Sequence, residues 1–184
     1  SAPIALLENW EREYQRFFPD SDMEFTILYG TKLKAFKLPP EQAQTIEVAE
    51  IQGIEQLSDV RQKRGALDIN QLKRADIVLT TYETVRDFQL DLGLIPWSVI
   101  VIDEAQKIKV PGTLITNALK ALKTGFNIAC TGTPVENSLV DLWCIMDFVC
   151  PGKLGSAKSF AAEFQRPLNS RSTDVSELTQ KIRL

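Results

Sequence analysis

"WSVIVIDEAQKI", residues 97–108, drives an uninterrupted apolar run into two adjacent carboxylates, Asp103 and Glu104, with Gln106 two positions on. A continuous apolar run, rather than an alternating one, predicts a strand covered on both faces, as in the middle of a parallel sheet. Two further stretches have the same form. "ADIVLTTYETVRDFQL" (75–90) is an apolar strand turning into a helix at Thr80–Glu83, and "GFNIACTGTPVEN" (125–137) is a strand ending in a Thr/Gly/Pro turn. "MEFTILYG" (23–30) adds a shorter β-prone run closed by Gly30.

Amphipathic patterns lie between these strands. Ile4, Leu6, Leu7, Trp10, Tyr14, Phe17 and Phe18 recur at spacings of three and four and predict a helix from Ile4 to Phe18. Leu114, Leu119 and Leu122 mark another helix, and Leu139, Leu142, Trp143, Met146 and Phe148 a third. Apolar strands alternating with helices predict an α/β fold with a mostly parallel sheet flanked by helices. Residues 31–74 read as a largely helical, polar insertion broken at Pro39 and Pro40. From Pro151 to Leu184 the strand rhythm gives way to a helical extension.

The totals exclude several chemistries. The 184 residues contain no histidine, which removes the commonest general base and the commonest zinc ligand. Three cysteines without a CxxC pair read as free thiols. A net charge of −3 supplies no bulk positive field for nucleic acid, so any such binding needs a local basic face. No stretch is long and apolar enough for a membrane helix and none reads as a signal peptide, so the expectation is a soluble, cytoplasmic protein, nuclear in a eukaryote, with no membrane partner.

In an open parallel sheet, ligands bind beyond the carboxyl ends of the strands. Thr80–Glu83, Asp103–Gln106 and Thr131–Pro134 all fall at that rim. Adjacent acids at a strand end point to different sides and suit two jobs, holding Mg2+ and activating a water. They equally suit capping a following helix, where negative charge is favoured by about 0.3–1 kcal/mol. Thr131, Gly132 and Thr133 alone read as a β-turn, and the threonines at 80 and 81 as helix caps.

Four ordered motifs resemble those of the Swi/Snf-type DNA-translocating and chromatin-remodelling ATPases of helicase superfamily two. They are "PIALLENWEREYQRFFP" (3–19), "IVLTTYETVRD" (77–87), "VIVIDEAQKIK" (99–109) and "IACTGTPVENSLVDLWCIMDFVCPGKLG" (128–155). The resemblance implies part of a three-layer RecA-like first lobe over residues 1–150, with a helical protrusion and the approach to a second lobe over 151–184. It implies ATP and Mg2+ as cofactors of the parent enzyme, with nucleic acid, double-stranded DNA, and a second RecA-like lobe of the same polypeptide as partners.

Residue by residue, it makes Asp103 the Mg2+ carboxylate, Glu104 the base for the attacking water, and Gln106 the link to the nucleotide-facing turn Thr131, Gly132, Thr133. It places Thr80, Thr81 and Tyr82 on a face gripping nucleic-acid phosphates, supported by Pro3, Asn9 and Trp10. Core packing is the plainer reading of Trp10 and Trp143. Val110 stands where the family commonly has Asn, which weakens a nucleic-acid role for that loop.

The phosphate-cradling GxxxxGK[ST] loop does not occur in these residues. Gly152-Lys153 is followed by Leu154 and preceded by Asp147 at the first-glycine position. The expectation is therefore a piece of a larger ATPase that binds no nucleotide tightly by itself. The alternative is a non-catalytic nucleic-acid or protein interaction module derived from such an enzyme.

Overall fold

The computed structural model describes residues 1–39, 65–133 and 139–165. Helix α1 (Ile4–Phe17) leads to strand β1 (Phe25–Leu28), a 3-10 turn at Lys32–Phe36 and a short helix α2 (Ile69–Leu72). Strand β2 (Ile77–Thr80) runs into α3 (Tyr82–Asp87) and α4 (Gln89–Gly93). Strand β3 (Trp97–Asp103) is followed by a 3-10 turn at Ala105–Ile108, α5 (Leu114–Lys120), β4 (Thr124–Cys130), α6 (Leu139–Val149) and α7 (Ala157–Phe160). The predicted polar helices within 40–64 and the approach to a second lobe within 166–184 lie outside the described residues.

Both strand pairs are parallel. β1 lies against β2 with Phe25 opposite Ile77 and Leu28 opposite Thr80, and β3 against β4 with Trp97 opposite Thr124 and Asp103 opposite Cys130. Residues 1–2 connect the pairs at their carboxyl ends. The Ala2 N–H donates to the Thr80 carbonyl at 3.1 Å, the Ser1 amine to the Val101 carbonyl, and the Asp103 N–H to the Ser1 carbonyl at 2.9 Å.

The strand-to-helix transition after β2 is local chemistry. Thr81, extended at φ −94°, accepts the Thr84 N–H at its hydroxyl and so satisfies one of the orphan donors at the start of α3. Thr113 does the same for α5 through the Thr116 N–H. Tyr82 and Val85 of α3, Phe88 at the junction and Leu92 of α4 then pack with Ile100, Ile102, Leu119, Ile145 and Phe148 in one buried cluster. Lys120 and Asp147 clip α5 to α6 at 2.6 Å, with the ammonium 4.9 Å from the Trp143 ring centre.

Among the described residues, the apolar run of β3 is covered on one face. Period-two alternation sends Ile100 and Ile102 into that cluster and Val99 and Val101 to the other side, where they are 48% and 36% exposed beside Phe126 and Ile128 of β4. Helices α3 to α6 all contribute to the Ile100 side, so among the described residues the Val99 side stands open.

Candidate nucleotide-facing site

The acids of β3 sit at its carboxyl end, where the strand stops abruptly. Glu104 adopts φ 55° and ψ 52°, the one non-glycine residue with positive φ among those described. A left-handed backbone costs an L-residue about 1–2 kcal/mol and is held by its surroundings. The strand ends at Asp103, and side-chain hydrogen bonds hold each of the two carboxylates. Glu104 precedes the 3-10 turn without a side-chain capping bond, so the capping alternative does not describe it.

Asp103 is held at every polar position. Its Oδ1 accepts its neighbour's N–H from Glu104 at 2.9 Å, and its Oδ2 accepts the indole N–H of Trp10 at 2.9 Å. Its backbone carbonyl accepts the Tyr82 hydroxyl at 2.7 Å. Burial of that phenol, with the charges of Asp103 and Glu104 adding to it, raises the Tyr82 pKa well above its ordinary value and keeps it a neutral donor.

A second chain of hydrogen bonds ends on Glu104. The Thr133 N–H donates to the Thr131 hydroxyl at 3.2 Å, Thr131 donates to Gln106 Oε1 at 2.8 Å, and Gln106 Nε2 donates to Glu104 Oε2 at 2.6 Å. Every donor points the same way, toward the carboxylate, so each bond polarises the next. Gln106 thus joins the strand end of β3 to the turn after β4. Gly132 between the two threonines is exposed, and a Cβ added there meets nothing within 4 Å.

The other candidates are placed differently. Thr80, Thr81 and Tyr82 are all buried, and their hydroxyls are engaged internally: Thr80 with the Leu28 carbonyl at 2.8 Å, Thr81 with Thr84, Tyr82 with Asp103. These side chains brace the rim instead of presenting hydroxyls outward. Asn9 is exposed on α1, and Pro3 is half-buried with its carbonyl accepting the Leu6 N–H. Trp10 is not packed in the core: it is 41% exposed, with its N–H on Asp103. Trp143 is buried in a small cluster with Cys144 and Phe160. Sequence reasoning missed the Trp10 and Tyr82 contacts to Asp103, and helical periodicity carries no signal that could reveal a bond across 93 residues.

Among the described residues, no group of three or more His, Cys, Asp or Glu side chains is placed to hold a metal ion. A single carboxylate is a suitable donor for Mg2+, which is commonly held by one or two carboxylates together with substrate phosphates and waters. Asp103 fits that pattern: each oxygen accepts one of the hydrogen bonds described, and a carboxylate has about four acceptor positions.

A family model described as the SNF2-related domain matches residues 1–183. The chain belongs to that family. Across 182 residues, 99% of the chain, it is 43% identical to the Zorya protein ZorD of Escherichia coli, of which it covers 16%. It is 31% identical over 99% of its length to the putative ATP-dependent helicase/translocase YwqA of Bacillus subtilis, covering 17% of that protein.

The solved Sulfolobus solfataricus SWI2/SNF2 ATPase core in complex with dsDNA is 34% identical and superposes with a TM-score of 0.66, over 94% of this SNF2-related chain and 29% of that one. The parallel α/β architecture is that of this RecA-like core. The chain therefore spans about one sixth of these curated relatives. Among its described residues no helix is long and apolar enough to cross a membrane.

Proposed function

We propose that the chain supplies the hydrolytic rim of the first lobe of an ATP-dependent translocase stimulated by double-stranded DNA. The observation that carries this reading is the continuous hydrogen-bonded path from Thr133 through Thr131 and Gln106 to Glu104, beside an Asp103 carboxylate oriented by two donors. In this reading Asp103 holds the Mg2+ of a Mg2+·ATP, and the ion, when bound, neutralises charge on the phosphates. Glu104 orients the attacking water and accepts its proton. Gln106 reports the position of the Thr131–Thr133 turn to Glu104, so movement of that turn changes the donor on the base. Residues 1–150 form the lobe and 151–184 the protrusion leading to a second lobe.

Nucleic acid enters the reading from two sides. The structural neighbour is an ATPase core in complex with dsDNA. The elements named by the resemblance, α1 and the Thr80–Tyr82 segment, both reach Asp103 here. With its threonine and tyrosine hydroxyls turned inward, the Thr80–Tyr82 segment acts in this reading as a brace connecting the nucleic-acid side to the carboxylates.

The test is Glu104→Gln in the complete polypeptide that carries these residues. DNA-stimulated hydrolysis falls by about 100- to 10,000-fold, the usual worth of a general base, while nucleotide binding stays close to wild type. Wild-type turnover in this variant would remove Glu104 from the role of base.

A further inference from the structure

We infer that Trp10 is a positioning residue for the Asp103 carboxylate, acting through its indole N–H; this rests on the reading of Asp103 as the Mg2+ carboxylate. The indole has a single polar atom and it can only donate. On α1 that donor reaches Oδ2 of Asp103 at 2.9 Å, although the residue is 41% exposed and its ring is not part of the buried clusters. The residue lies outside the buried clusters, so the aimed N–H is a feature that core packing does not account for.

The geometry says what this bond does. The Glu104 N–H fixes Oδ1 at 2.9 Å and Trp10 fixes Oδ2 at 2.9 Å, so the two donors set both the position and the plane of the carboxylate. The backbone beneath it is fixed separately, by the Tyr82 hydroxyl on the carbonyl and by the Asp103 N–H on Ser1. With the main chain anchored, the remaining freedom of Asp103 is rotation about its two side-chain torsions, which the Glu104 and Trp10 N–H groups restrain together. A hydrogen bond to a charged acceptor is stronger than one between neutral groups, which suits this restraint. Residues that orient a metal-binding carboxylate change metal affinity or activity about 10- to 100-fold when altered.

The experiment uses the complete polypeptide with two replacements at the same position. Trp10→Phe removes the N–H and part of the ring; 3-benzothienylalanine keeps the bicyclic shape and puts sulfur where the N–H stood. Both should lower kcat by about ten-fold or more with little change in the KM for ATP, and both should weaken Mn2+ uptake in the presence of ADP by a similar factor, read by the EPR signal of free Mn2+. Asp103→Asn serves as the control on the underlying reading and should abolish both hydrolysis and nucleotide-dependent Mn2+ uptake.

If Asp103→Asn behaves as wild type, the assignment of the Mg2+ carboxylate is wrong and the inference goes with it. If Asp103→Asn is inactive while the benzothienylalanine protein keeps wild-type kcat and Mn2+ affinity, the indole N–H positions nothing and the inference alone fails. Should Trp10→Phe not fold, the isosteric replacement still decides.

Discussion

Replacing Tyr82 by Phe isolates one hydrogen bond at the centre of the rim. The ring is 1% exposed and packs in the main core, and Phe preserves nearly all of that volume, so no cavity forms. What is lost is the hydroxyl donating to the Asp103 carbonyl at 2.7 Å. A neutral hydrogen bond contributes about 0.5–1.5 kcal/mol net, and the Asp103 carbonyl, in a part-buried bond, does not carry the full penalty of a buried acceptor left without a partner. The expected loss at pH 7 is therefore about 0.5–1.5 kcal/mol, and in a domain of this size each kcal/mol lowers Tm by about 2–4 °C.

The pH dependence gives an independent check on the burial of the same hydroxyl beside the two carboxylates. In the native protein, burial and the nearby Asp103 and Glu104 charges raise the Tyr82 pKa above its ordinary value of 10.0. In the unfolded chain it titrates at about 10. The stabilisation is thus complete below pH 10 and is lost as pH rises beyond it, where the unfolded state alone gives up the proton. Tyr82→Phe has no such term, so the gap between the two proteins narrows above pH 10, by at most about 1.4 kcal/mol per pH unit. Urea unfolding of both proteins at pH 7, 9, 10 and 11 measures this, and other tyrosines and lysines cancel in the difference. An unchanged Tm at pH 7, or a gap constant from pH 9 to 11, would refute the reasoning.

Two further perturbations follow from named contacts. Gln106→Leu cuts the path between Thr131 and Glu104 while keeping similar bulk, so steady-state assays should show DNA-stimulated ATP hydrolysis reduced about ten-fold or more; stimulated turnover equal to wild type would mean the path transmits nothing. Lys120→Met removes the ammonium that bonds Asp147 at 2.6 Å and lies over Trp143, and should cost about 1 kcal/mol at pH 7, between an exposed and a buried pair. Burial alone would raise the Asp147 pKa, but hydrogen bonds from Lys120 and the Gly152 N–H outweigh it and hold it below 3.8, so this stabilisation is present above that value and fades as pH falls through the lower native pKa. Thermal unfolding of the pair of proteins at pH 7 and pH 3 should show the difference shrinking in acid.

Much of the fold could be read directly from residue order. The spacing of Ile4, Leu7 and Tyr14 marked α1, observed from Ile4 to Phe17. The apolar runs before Thr80, Asp103 and Thr131 marked β2, β3 and β4, all found in parallel pairs. The ordered motifs, spread over residues 3–155, carried the family resemblance that the match over residues 1–183 now shows.

Periodicity failed where exposure depends on neighbours. Val99 and Val101 belong to the same greasy run as Ile100 and Ile102, yet among the described residues only the two isoleucines are covered, a difference that composition does not carry. Trp10 failed for the same reason: it lies at helical spacing from Leu6, Leu7 and Tyr14, yet it stays 41% exposed with its N–H on Asp103.

The sequence by itself determined the α/β order, the rim location of Asp103, Glu104 and the Thr131–Thr133 turn, and the family, because these depend on local pattern and on motifs in a fixed order. Tertiary structure alone decided what those residues touch. The Trp10 and Tyr82 donors on Asp103 and the bond from Thr131 to Gln106 join positions 21 to 93 residues apart. Hydrogen bonds act over about 3 Å, and only the packing of α1, α3 and β4 around the end of β3 brings these groups within that distance.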